Sequence, residues 1–91
     1  HMDRETEKTV LILRMRAVPA LDITALNGLT RLWEECQRQG IDVVFSHVNQ
    51  QPMSVFSKSG LLQRVGAENF QPNIDAALSR AVALQQTPVS K

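Results

Sequence analysis

Apolar positions along this chain alternate between short unbroken runs and spaced stripes, and the alternation predicts strands and helices in turn. Thr9–Met15 (TVLILRM) is the first run. It follows a polar stretch, is too short for a typical helix, and is rich in Val, Leu and Ile. Such a segment reads as a strand buried on both faces, the kind found in parallel sheets. Val18-Pro19-Ala20-Leu21-Asp22 breaks the pattern, because Pro19 disfavours helix at Val18. A helix is then predicted to start near Ile23 or Thr24. Leu26, Leu29, Trp33 and Cys36 form one apolar stripe at helical spacing, widened by Leu32. Arg31, Glu34, Glu35 and Arg38 take the other face, with Glu34 and Arg38 in the favourable i,i+4 order. Gly40 stands where a left-handed residue would end the helix.

Ile41–Ser46 (IDVVFS) is the second run and predicts a second strand. Pro52 is placed to open a short helix, with Val55 and Phe56 facing inward and Gly60 closing it. Leu61, Leu62 and Val65 continue the apolar contacts, and Asn69–Gln71 predicts a short edge strand. Asn73 reads as the N-cap of a last helix, with Asp75 in its first turn complementing the helix dipole. Ile74, Ala77, Leu78, Ala81 and Val82 match the one-face helical template without a gap. The stripe fades after Leu84. The predicted domain is therefore residues 9–84, with residues 1–8 a flexible lead-in and residues 85–91 a flexible tail. His1-Met2 reads as a cloning scar. Strand–helix–strand–helix–short strand–helix argues for α/β architecture, a small, mostly parallel sheet with packed helices. A sheet of two or three strands is expected to leave open edges.

Composition narrows the function classes. A chain of 91 residues is one domain, and 43% apolar with 21% charged residues is ordinary for a globular protein. Three Phe, one Trp and no Tyr offer little stacking surface for single-stranded nucleic acid. The net charge of +1, with basic residues scattered among acids, shows no surface for a phosphate backbone, so no nucleic-acid partner is expected. The longest clean apolar run, Val10–Leu13, is far short of a membrane span, and no secretory signal is visible. The single cysteine, Cys36, rules out an internal disulfide and a CxxC pair, and fits a reducing compartment.

No catalytic, metal or cofactor site is predicted. Cys36 falls on the apolar stripe, where a small inert hydrophobe is expected. His47 lies at the C-terminal end of the second strand, where ligand loops sit in open α/β sheets, but no second ligand stands at metal spacing. A small enzyme or ligand carrier built on His47 and Asp22 would need those side chains to converge in a pocket. Asp22 and Asp42 are expected at opposite ends of their strands. No glycine-rich phosphate loop is present. The most informative segment is Asp22-Ile23-Thr24-Ala25, which opens the longest helix. Its plain reading is an N-cap by Asp22 or Thr24. The hydroxyl of Thr24 could also receive a phosphate, favoured by the helix N-terminus and opposed by Asp22, which would change the surface a partner reads.

Three motifs in order then point to a family. Val18-Pro19-Ala20-Leu21-Asp22-Ile23-Thr24-Ala25-Leu26 resembles the signature of STAS domains, in which a strand leads into a turn, an Asp and a Ser or Thr. Ser59-Gly60-Leu61-Leu62 resembles the family's SGL element. Asn69-Phe70-Gln71-Pro72 followed by Asp75-Ala76-Ala77-Leu78 resembles the ending common in the sulfate-permease transporter branch. The resemblance runs from about Thr9 to Ala81. It implies a non-catalytic, cytoplasmic regulatory and protein-interaction module attached to a membrane-embedded anion transporter. The alternative it implies is a stand-alone anti-sigma factor antagonist switched by phosphorylation at Thr24, the position matching the phosphorylated hydroxyl of those proteins. Asp22, Ile23, Ala25 and Asn27 would be the interaction loop around it. Ala25 stands where many members have glycine, which predicts an altered turn. Family members also begin with a hairpin-like strand pair and a helix ahead of the strand at Thr9. This chain corresponds to the later two-thirds, so an open strand edge is expected, with self-association or swapping as its consequence.

Overall fold

The structure is a computed structural model that describes residues 9–86. Its elements are β1 (Thr9–Arg14), α1 (Ile23–Arg38), β2 (Ile41–Ser46), α2 (Gln50–Ser59), α3 (Leu61–Val65), a 3-10 turn (Ala67–Asn69), β3 (Phe70–Gln71) and α4 (Ile74–Gln85). The strands form one parallel sheet in the order β1-β2-β3. The small parallel α/β architecture read from the sequence is the one observed.

Strand alternation divides the core in two. Leu11 pairs with Val43, and Leu13 with Phe45, on one face of the sheet. There they meet Leu26 and Cys36 of α1, Phe56 of α2, and Leu61 and Val65 of α3. Ile12 pairs with Val44, and Arg14 with Ser46, on the opposite face. Helix α4 covers that face, running against β1 and β2 with Ala77 and Ala81 buried. Phe45, Phe56 and Phe70 join β2, α2 and β3. The first and last stack at 4.8 Å between ring centroids, and Phe56 tilts against both at 5.4 and 5.8 Å. Gly40 and Gly60 end α1 and α2 with φ of 75° and 88°, the left-handed region that a side chain disfavours.

Several local expectations give way to tertiary packing. Leu78 and Val82 are half exposed (50% and 51%), because among the described residues α4 packs on the strands and not on another helix, and Ala77 and Ala81 are the residues it buries. Leu32 is likewise exposed rather than part of the α1 stripe. Glu34 does not pair with Arg38. Arg64 of α3 lies 4.8 Å over the Trp33 ring and reaches Glu34 at 3.0 Å, while Arg38 bonds Glu35. Helix α2 begins two residues before Pro52, whose missing N–H is harmless within a first turn. Ala25 lies inside α1 with no positive φ, so the turn has no need of glycine there. Helix α4 runs to Gln85, one residue past the predicted end. The lead-in at residues 1–8, and residues 87–91 of the tail, lie outside the described residues.

Candidate functional site

The C-terminal end of β1 sets up the site. Met15 continues the strand by one step, its N–H donating to the Ser46 carbonyl at 2.9 Å, and Val18 N–H then closes a turn onto the Met15 carbonyl at 3.0 Å. The backbone groups that follow have neither sheet nor helix partners and need others. Two side chains from the start of α2 supply them. Asn49 Nδ2 donates to the carbonyls of Arg16 (3.0 Å) and Val18 (2.9 Å). Gln51 Oε1 accepts from Leu21 N–H at 2.7 Å, and its Nε2 donates to the Leu21 carbonyl at 3.4 Å. Leu21 itself is buried in the core. The loop is thus fixed at both ends before the chain emerges at Asp22.

Asp22 is the N-cap of α1. Its backbone is extended (φ −92°, ψ 176°), its Oδ1 accepts from Ala25 N–H at 2.8 Å, and its carbonyl accepts from Leu26 N–H at 2.9 Å. The hydroxyl of Thr24 has no partner among the described residues. Asp22, Ile23, Thr24, Ala25 and Asn27 are all exposed, so the residues expected to form an interaction loop share one stretch of open surface. Ile23 is 67% exposed, an unusual position for a large aliphatic side chain with no packing to gain from it.

The catalytic alternatives do not assemble. His47 adopts a left-handed backbone (φ 55°), held by its N–H donating to Gln71 O at 2.9 Å. It lines two hollows, one with Val48, Met53, Phe70, Gln71 and Pro72, the other with Arg14, Arg16, Ser46, Asn73 and Ile74. Asp22 lines neither. Cys36 is buried on the inward stripe of α1. Asp42 pairs with Val10 near the start of β2, the end of the sheet away from Asp22. Among the described residues no group of three His, Cys, Asp or Glu side chains could hold a metal ion. Glu35 has its carboxyl held below the usual range, first by the Gln39 hydrogen bond and then by Arg38, but it sits at the far end of α1.

Asn49 and Gln51 are the site residues that sequence reasoning did not single out. The available signal was faint: an Asn-Gln-Gln stretch between a strand and a helix is ordinary capping composition.

A small parallel sheet, helices on both faces and a clamped strand-to-helix loop with an exposed hydroxyl define the class. The STAS domain family matches residues 1–77, and the chain belongs to it. It is 27% identical over 78 residues to the probable sulfate transporter 4.2 of Arabidopsis thaliana, a match covering 86% of this chain and 12% of that protein. Among solved structures, a sulfate transporter family protein from Wolinella succinogenes superposes with a TM-score of 0.82 at 33% identity, over 87% of this chain and 65% of that one. The STAS domain of a SulP transporter from Vibrio cholerae superposes with a TM-score of 0.77 at 33% identity, over 82% of this chain and 59% of its own. The chain thus spans under two-thirds of these two structures and about an eighth of the Arabidopsis protein. No helix among the described residues is long and apolar enough to cross a membrane.

Proposed function

We propose that this chain is the cytoplasmic regulatory module of a sulfate-permease-family anion transporter, acting by protein contact and not by catalysis. The observation that carries the reading is the loop: an exposed Ile23 beside an unbonded Thr24 hydroxyl, on a backbone fixed by Asn49 and Gln51. A fixed loop loses little conformational freedom on binding, and an exposed aliphatic residue supplies apolar contact. Similarity to STAS domains of transporters supports the transporter as the parent. Thr24 is the switch position in this reading. A phosphate there would place about −1.5 to −2 charges beside Asp22 and alter the face that a partner meets. The same exposed hydroxyl favours a second reading, a stand-alone anti-sigma factor antagonist switched at Thr24.

Anion uptake by the parent protein is the test. Deleting residues 9–86, or replacing Ile23 with Asp, is expected to change the uptake rate while membrane insertion stays intact. Unaltered uptake with both changes would reject the regulatory role. A parent chain without membrane-spanning segments would favour the antagonist reading.

A further inference from the structure

We infer that the same end of the sheet holds a second site, an oxyanion-binding cleft on the α4 side, independent of the loop and of the regulatory reading. Arg14 is the register partner of Ser46, so both side chains lie on the sheet face that α4 covers. Arg14, Arg16, Ser46, His47, Asn73 and Ile74 line a cleft of about 90 Å³. The two arginines also border a wider, open hollow of about 470 Å³ with Ala17.

Three features of this cleft point to a negatively charged occupant. The first is uncompensated charge: neither Arg14 nor Arg16 has an ion-pair partner among the described residues, and no carboxylate lines the cleft. The second is Ser46. It is only 2% exposed, its hydroxyl has no hydrogen-bond partner among the described residues, and it lines the cleft. The hydroxyl is not among the fully buried unpaired atoms, so it stays open to the cleft and free to donate to an acceptor there. The third is the start of α4, a helix of 12 residues whose Asn73 side chain takes up only the Ala76 N–H, at 2.8 Å. Asp75 offsets part of that helix end's field but does not line the cleft.

Guanidinium forks match the oxygens of sulfate, phosphate and carboxylate. At about 90 Å³ the cleft has the size for one such group. The ligand class is therefore a single oxyanion group, either a free inorganic anion or the phosphate of an anionic lipid headgroup.

The test titrates the isotope-labelled chain with sodium sulfate and sodium phosphate, with sodium chloride at matched ionic strength as reference. Saturable amide shifts at Arg14, Arg16, Ser46, His47 and Ile74 are expected, absent in chloride. The R14Q/R16Q double variant should weaken binding about tenfold or more, and Ser46→Ala about threefold. Both arginines are exposed, so the double variant is expected to keep its circular dichroism spectrum and melting temperature. In a parallel arm, the chain is sedimented with vesicles of phosphatidylcholine, with and without phosphatidylglycerol. Arginine-dependent sedimentation without a response to free anions assigns the occupant to the lipid headgroup. A saturable response to sulfate or phosphate assigns it to the free anion. Shifts that match chloride, or that survive the double variant, together with no arginine-dependent sedimentation, overturn the site.

Discussion

Asp22 and Thr24 stand two positions apart at the start of one helix, and only the carboxylate is bonded to the backbone. Their substitutions should therefore separate. Asp22→Ala removes the cap and is expected to cost about 1 kcal/mol in a denaturant melt. Thr24→Ala removes no bond and should stay within about 0.5 kcal/mol of the parent. Any functional effect of Thr24→Ala would then reflect what the hydroxyl meets or carries, not unfolding. Asn49→Ala orphans two carbonyls of the loop and is expected to cost about 1–3 kcal/mol, with faster amide exchange from Arg16 to Leu21. The cap at Asp22 was legible in the sequence because donor and acceptor lie three residues apart. The clamp was not, because Asn49 and Gln51 act across 30 to 33 residues and only the assembled sheet brings them to the loop. Glu35 adds a pH dependence of known sign. Its carboxyl is lowered by Gln39 and Arg38, so its contribution is present above the ordinary carboxylate range and fades as pH falls through the lowered value. A carboxyl titration by NMR should show the Glu35 midpoint below that of free glutamate.

At the level of elements, hydrophobic spacing placed the strands and helices but did not decide what each helix buries. The α1 stripe of Leu26 and Cys36 does face the core, because α1 packs on the fuller face of the sheet. The equally regular α4 pattern is only half buried. Ala77 and Ala81 reach the strands, while Leu78 and Val82 look outward with no neighbouring helix among the described residues to receive them. Periodicity records which positions share a side, and burial depends on what lies opposite. The two helices should answer substitution differently. Phe56→Ala opens a cavity inside the three-ring cluster and is expected to cost about 3–5 kcal/mol. Leu78→Lys on α4 should change stability far less, by about 1 kcal/mol at most, in the same denaturant melt.

The whole molecule is a short sheet whose first strand has a partner on one side only among the described residues. A parallel strand with an open edge pairs readily with another chain. Self-association through that edge is the expectation from the sequence, and its test is light scattering of a concentrated sample, with a dimer the expected result. A mass fixed at one chain would remove edge pairing from the account. The surface proposed to meet a partner is a different one, the clamped loop that ends in Ile23 and Thr24. Its most direct test is amide hydrogen exchange of this segment, compared between the isolated chain and the intact parent protein. Slower exchange from Arg16 through Ala25 in the parent, with the outer face of α4 unchanged, is the predicted result. Unchanged exchange in the loop, with slowing confined to the turns around Leu78 and Val82, would contradict it and move the contact surface to α4.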